Sequence, residues 1–317
     1  MSRISPLTFL ITLSVLAVTT SCEHKEIVCP TSENLNVVFE WDKASNADVD
    51  GMTLFFYPLE ENERIWRFDI AGRDGGNVNL PSGTYELIAC NNDLPGIILE
   101  DTESASTLHA SVRNLAIGHD TEVYSNSGML YCAEIRKLEI TPCGVRYLLP
   151  NGTYKECPRG IVRCQPDSIA TVFNVKLTNI SGMQYIHSAT VALEDVRASI
   201  SLESDLPSEI PATLAIDMTV NPKDDTLSGC GCAFAPLDLK SADFRLRLQV
   251  VLTNGKSIAR DIEITPENLN IITGHNVLIA VDGIVIPDDG SSGDIGGIGA
   301  IVDGWEVVII DLEPTFQ

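Results

Sequence analysis

The stretch Phe244-Arg245-Leu246-Arg247-Leu248-Gln249-Val250-Val251-Leu252 sets Arg245, Arg247 and Gln249 on one side and Phe244, Leu246, Leu248 and Val250 on the other. A period of two belongs to a strand with one dry face and one wet face; on a helix the same residues would scatter round the axis. The pattern recurs in both directions. Thr171–Thr178 sets Val172, Asn174 and Lys176 against Phe173, Val175 and Leu177, and residues 189–196, 198–202, 213–220, 277–285 and 305–312 continue the series. Upstream, residues 35–41, 52–57, 65–70, 77–80 and 84–89 are rich in branched and aromatic strand formers, with Asn, Asp, Gly and Pro turns between them. Strands at such short, regular spacing are the rhythm of a β-sandwich. Residues 104–115, with Leu108, Val112 and Leu115 at helical spacing, predict a helix in the first half. Beyond Pro287, glycines among Asp and Ser read as a loop.

The chain has 317 residues, enough for two domains with cores of their own. Residues 1–21 read as an export signal: Arg3 gives the basic start, Leu7 to Val18 the short apolar run, and Thr19-Thr20-Ser21 the small-residue exit. Cys22 stands where bacterial lipoproteins carry their acylated cysteine. Residues 22–164 and 165–317 follow as the two domains, with a proline- and cysteine-rich connection at 141–164. Lys and Arg number 21 against 44 Asp and Glu, a net charge of −23. Residues 22–164 hold 22 acids and 12 bases and residues 165–317 hold 22 and 8, so the whole surface is acidic. That excludes a nucleic-acid partner, which needs clustered Lys and Arg. It also repels the body from anionic headgroups.

Motifs that carry chemistry are few. Eight cysteines follow Cys22, an even number that permits disulfides in an exported chain. Cys157 and Cys164 flank a Pro-Arg-Gly turn that would close a small loop, whereas Cys230 and Cys232 stand too close for an easy bond with each other. The five histidines are isolated, so no metal site is expected. The turn Asn46-Ala47-Asp48-Val49-Asp50-Gly51 is half of a calcium loop, but Tyr57 stands where the bidentate Glu belongs, and it reads as an acidic turn. No catalytic motif is present, and neither a catalytic residue nor a cofactor is expected. Asp167-Ser168-Ile169 and Asp225-Thr226-Leu227 have the form of an O-glycosylation sequon, making Ser168 and Thr226 candidate acceptors. Leu80-Pro81-Ser82-Gly83-Thr84-Tyr85 is echoed by Leu149-Pro150-Asn151-Gly152-Thr153-Tyr154, which reads as a shared hairpin style rather than a duplication.

Phe39-Glu40-Trp41, the run Gly51-Met52-Thr53-Leu54-Phe55-Phe56-Tyr57-Pro58, Leu80 to Tyr85 and Asn91-Asn92-Asp93 resemble the N-terminal domain of a Bacteroidetes lipoprotein family allied with the fimbrillin-type pilus subunits and their anchors. Leu227-Ser228-Gly229 and Val302-Asp303-Gly304-Trp305 are similar to the C-terminal domain of the same group. The resemblance implies an all-β protein of two tandem transthyretin-like β-sandwich domains, lipidated at Cys22 and carried at the outer membrane, exposed at the cell surface. It implies a fimbrial anchor or accessory subunit whose partners are fimbrial subunits, bound by strand addition. Trp305, Val307 and Ile309 are the candidate donor residues, unless the terminal strand completes its own domain. The rival reading is a surface glycan-binding lipoprotein of a polysaccharide-uptake system. Such proteins bind sugars on exposed aromatics, whereas Trp41, Trp66 and Trp305 all stand in strand-like runs where burial is the default.

Overall fold

Apolar alternation commits the chain to strands, and the turns decide how they pair. The structure, a computed structural model, describes residues 32–60, 63–113, 123–124, 127–273 and 275–287. The first sandwich begins with β1 (Ser32–Phe39), β2 (Gly51–Pro58), β3 (Trp66–Ala71), β4 (Gly75–Pro81) and β5 (Gly83–Asn91). An insertion follows with β6 (Ile97–Glu100), β7 (His109–Val112) and β8 (Val123–Tyr124). Then come β9 (Tyr131–Thr141), the hairpin β10 (Gly144–Leu148) and β11 (Tyr154–Glu156), and β12 (Ile161–Cys164). The sheet β12-β1-β4 faces the sheet β11-β10-β9-β5-β2-β3. The stretch 141–164 therefore supplies strands as well as a connection, and β12 is the parallel neighbour of β1.

The short β13 (Asp167–Ser168), paired to β9, leads into the second sandwich. It contains β14 (Thr171–Thr178), β15 (Ile186–Arg197), β16 (Ser199–Ser201), β17 (Pro211–Asn221), β18 (Thr226–Ala233), β19 (Arg245–Leu252), β20 (Ser257–Glu263), β21 (Leu269–Thr273) and β22 (Asn276–Asp282). One sheet runs β20-β19-β15-β17; the end of β17 then turns through a hairpin onto β18 and opens the facing sheet β18-β14-β22-β21.

Numbered by chain order, the seven principal strands of the first sandwich are β1, β2, β3, β4, β5, β9 and β12. Those of the second are β14, β15, β17, β18, β19, β20 and β22. In both, one sheet has the order seventh–first–fourth and the other sixth–fifth–second–third. In both, the first and last strands run parallel, with Asn36 opposite Ile161 and Val172 opposite Asn276. The chain is thus two β-sandwiches in tandem with one topology. The echo Leu80–Tyr85 and Leu149–Tyr154 is not the trace of that repeat. The first copy joins β4 to β5 and the second joins β10 to β11, a hairpin without a counterpart in the second sandwich.

The first core joins Leu35, Val37, Val78, Leu80 and Val162 of one sheet to Met52, Leu54, Phe56, Leu87 and Ile135 of the other. The second joins Phe173, Val175, Leu177, Val277 and Ile279 to Val191, Leu193, Leu214, Leu246 and Leu248. Both alternations singled out in the sequence hold, residue by residue. Phe55, Tyr57, Ile88, Cys90 and Cys132 point the other way from sheet β9-β5-β2-β3, yet they too are buried, within the apolar cluster of the second sandwich. The insertion fills that seam. β7 pairs with β6 on one side and with β16 on the other, and β8 lies parallel to β17.

The helix expected over 104–115 is overturned: β7 occupies His109–Val112. From Leu108 to Val112 the buried residues are Leu108, Ala110 and Val112, a period of two. Leu108 and Val112 are four apart and fit either period, and pairing on both sides decides for the strand. Leu115 lies outside the described residues.

Where β17 and β18 cross, a Cβ on Gly229 would meet the Asp217 carbonyl oxygen at 2.6 Å, whereas one on Gly231 would meet the end of the Leu214 side chain at 3.1 Å. Backbone cannot yield as a side chain can. We predict that Gly229→Ala costs about 1–3 kcal/mol and Gly231→Ala less, read as the order of their midpoints in guanidinium unfolding.

Candidate functional site

The motif residues of the first sandwich converge at one end of the seam. Thr53, fully buried on β2, donates to Asp69 Oδ1 at 2.6 Å and accepts from the Asn92 side-chain amide at 3.1 Å. Burial works against the ionised Asp69, but hydrogen bonds from Thr53 and Arg67 and the Arg67 charge hold its carboxyl below the usual range. Asn91, also buried, accepts from the Tyr131 N–H at 2.8 Å and donates to Asp93 at 2.8 Å and to the Met129 carbonyl at 3.2 Å. Asp93 in turn accepts the Asp50 N–H at 3.0 Å. A Cβ on Gly51 would meet Asn92 Oδ1 at 2.5 Å. The Gly51–Thr53 and Asn91–Asp93 motifs are thus one polar lock, which fastens both ends of the insertion where it leaves β5 and enters β9. Leu80–Tyr85 is a second such device: the Tyr85 hydroxyl donates to the Pro81 carbonyl at 3.1 Å, and a Cβ on Gly83 would press on its ring.

The far end of the seam is acidic. Glu86 and Glu134, on β5 and β9, lie near Glu203 and Asp205 of the second sandwich. Partial burial pushes the Glu86 carboxyl up to about 7, with Glu134 and Glu203 adding to the shift against Arg136. Two shallow clefts open nearby and below: one of about 110 Å³ lined by Asp167, Ser168, Asp205 and His275, and one of about 190 Å³ lined by Tyr147, Lys155, Cys157 and Arg163. Small-molecule sites commonly enclose about 300–1,000 Å³. Neither cleft reaches that size. Among the described residues no group of three His, Cys, Asp or Glu could hold a metal ion.

The remaining surfaces of interest are sheet edges. β3 and β20 close their sheets with charge outward, Arg67 and Asp69 on one, Asp261 and Glu263 on the other. Charged edges discourage further pairing. β21 differs. It ends its sheet among the described residues with Leu269-Asn270-Ile271-Ile272-Thr273, no charge among them, and Ile272 is 55% exposed. Alternation alone predicts no strand between residues 252 and 277, although the uncharged run Leu269–Thr273 after Glu267 and Asn268 is a usable signal.

No aromatic platform emerges among the described residues. Trp41 is buried, donates to the Arg73 carbonyl at 2.8 Å and lies under the Arg73 guanidinium. Trp66 is half-buried beneath Arg64. Tyr154 is engaged by Arg146, 4.4 Å from the ring centre, and its hydroxyl donates to Glu139. Cys22, Trp305, Val307 and Ile309 lie outside the described residues. Ser168 is half-buried on β13 and donates its hydroxyl to the Ala170 carbonyl at 2.8 Å; Thr226 opens β18 opposite Asn221. Cys157 and Cys164 are both buried in the first core. No helix among the described residues is long and apolar enough to cross a membrane.

Comparison with known proteins finds three kinds of likeness. Residues 21–217 match a family model described as "Domain of unknown function (DUF5119)". Over 137 residues the chain is 27% identical to a Bacteroides ovatus protein named "Putative fimbrium anchoring subunit Fim4B", a match covering 42% of this chain and 40% of that relative. The chain thus matches well under half the length of that protein. A crystal structure titled a putative adhesin, also from Bacteroides ovatus, overlies 84% of this chain and 98% of its own, with a TM-score of 0.59 at 15% identity. The fimbrial anchor protein Mfa2 from Porphyromonas gingivalis overlies 79% of this chain and 90% of its own, with a TM-score of 0.49 at 10% identity.

Two outcomes follow from the seam. Asn91→Ala leaves the Tyr131 N–H and the Met129 carbonyl without their partner and should cost about 2–3 kcal/mol, lowering the melting temperature by roughly 5–10 °C. Glu86 has its folded pKa raised, so its charged form opposes folding. Stability is fullest below the ordinary carboxylate range and falls as pH rises towards about 7. Glu86→Gln should remove that fall, about 1 kcal/mol after solvent screening of a half-exposed group, seen by comparing melts at pH 5 and pH 8.

Proposed function

The chain belongs to the DUF5119 family, and from that premise we propose that it is an outer-membrane lipoprotein serving as the anchor or an accessory subunit of a fimbria, joined to its neighbour by β-strand addition. The observation that carries this reading is the sequence match to the Bacteroides ovatus protein named "Putative fimbrium anchoring subunit Fim4B". Cys22, acylated with two or more chains, supplies stable anchoring where one chain would be marginal. The mature chain then runs through residues 22–164 and 165–317 as its two domains. Ser32, where β1 begins, follows ten residues after Cys22, a tether that reaches at most about 35 Å. The acidic body stands off an anionic membrane and leaves the sandwiches accessible to a neighbour.

Strand addition needs an edge whose N–H and C=O groups are open and whose side chains do not repel a partner. The uncharged edge β21 supports the reading on one side of the contact, with Ile271 and Ile272 as its apolar grip. Trp305, Val307 and Ile309 supply the alternation a donated strand requires. The reading is tested in native outer membranes. Wild-type protein should take up labelled palmitate and sediment with the membrane, and Cys22→Ala should do neither. Deletion of 300–317, or Ile271→Lys with Ile272→Lys, should yield a stable monomer that no longer co-purifies with a fimbrial subunit. Co-purification at the wild-type level in both variants would overturn strand addition, and palmitate-free wild type would overturn the anchor.

A further inference from the structure

We propose that Cys90 and Cys132 form a disulfide that staples the root of the insertion between β5 and β9. The two residues are direct partners in the antiparallel β5–β9 ladder. Both point to the seam face, both are buried, and both belong to the same apolar cluster. Residues opposite one another in such a ladder hold their Cα atoms about 4.5–5.5 Å apart, inside the ~4.4–6.8 Å that a disulfide spans. Their Cβ atoms stand about 4.5–5.5 Å apart, so the two strands draw slightly closer to reach the ~3.5–4.5 Å of a formed bond. Both are thiols in the structure. The bond would close the segment that carries β6, β7 and β8, the strands that reach the second sandwich. It would lie beside Asn91, whose amide already ties the same two strands.

The inference rests on the export reading, because a structural disulfide persists in an oxidising compartment. Burial pushes the Cys90 thiol up to about 12 and raises Cys132 as well, so neither reacts readily once the seam is closed. Oxidation therefore belongs to folding, after β5 meets β9 and before the insertion docks. One cysteine gives up its proton and its thiolate attacks a donor disulfide, releasing one donor thiolate. The other cysteine, deprotonated in turn, attacks the protein sulfur of the mixed disulfide and releases the second. Two protein thiols lose two electrons and two protons, and the donor disulfide becomes two thiols.

The test starts from full-length protein recovered from cell envelopes without reductant, alkylated with iodoacetamide in guanidinium, and mapped by mass spectrometry. A peptide joining Cys90 to Cys132 is expected. In folded protein it should resist dithiothreitol that cleaves it in denaturant. Cys132→Ser should melt roughly 10 °C lower than wild type, and the gap should close when both are refolded reduced; a loss of packing alone would persist. Alkylation of both cysteines in envelope protein, or a link from either to a third cysteine, overturns the proposal while leaving export intact. Recovery of the chain in the cytoplasm overturns export. Refolding purified chain with glutathione disulfide then decides the pairing by itself, and failure to form the 90–132 link there overturns it.

Discussion

Burial of one sheet on both faces holds the molecule together. Met52, Leu54 and Phe56 of β2 face the first core, while Phe55 and Tyr57 face the seam and share the cluster of the second sandwich. An antiparallel sheet ordinarily leaves one face to water, and its strands then alternate apolar with polar. β2 is nearly continuous instead, from Met52 to Tyr57, because no side of it is wet. Removing the insertion would expose Phe55, Tyr57, Ile88 and Cys90 together, an apolar patch that a soluble surface does not tolerate well. The two sandwiches are thus coupled through a third element, and the polar lock around Thr53, Asn91 and Asn92 fixes where that element begins and ends.

The sequence carried the sandwiches and concealed the seam. In β14 and β19, one face is dry, alternation is clean, and the sequence names every core residue. In β7, the apolar residues are few and spaced so that helix and strand fit alike; only its two neighbours, β6 and β16, settle the matter, and β16 lies some ninety residues away in the chain. The resemblance implied two sandwiches in tandem, but the strand order they share was not readable from alternation. That order, with its two parallel pairings, is one that many sequences satisfy. The one visible echo, Leu80–Tyr85 and Leu149–Tyr154, sits at unrelated places and builds different environments. Tyr85 is buried against Gly83, and Tyr154 is exposed between Lys137 and Arg146.

Of the functional residues, those read by local chemistry and those set by topology behave differently. The proposed acylation of Cys22 rests on a short linear signal, the kind of pattern a sequence displays directly. The role of Gly51, Thr53, Asn91 and Asn92 is not so displayed, since their hydrogen bonds join positions about forty residues apart. The motif resemblance singled out these residues without giving a reason. The structure supplies one: they satisfy a buried threonine and a strand end that water cannot reach. The place of β21 at the end of its sheet among the described residues is hidden for a related cause. Whether a strand is an edge depends on what does not pair with it, which no local pattern records.

In the proposed orientation, tension between an anchored Cys22 and a distal subunit enters at β1. That strand is paired to β4 from Ser32 to Val38 on one side and to β12 from Asn36 to Phe39 on the other. A pull along it loads those bonds together in shear instead of opening them one by one. The 2.6 Å ion pair of Arg163 on β12 with Glu40, the residue just after β1, adds a side-chain link across the same pair of strands. Force leaving the first sandwich then has two routes to the second. One is the covalent route through β12 and β13. The other is the insertion, whose β7 and β8 pair with β16 and β17. A single tether between sandwiches would let them hinge; two separated attachments resist rotation as well as extension. The coupling of a doubly covered sheet to an insertion fastened at both ends is therefore the feature that would bear load in the basal position proposed for this chain.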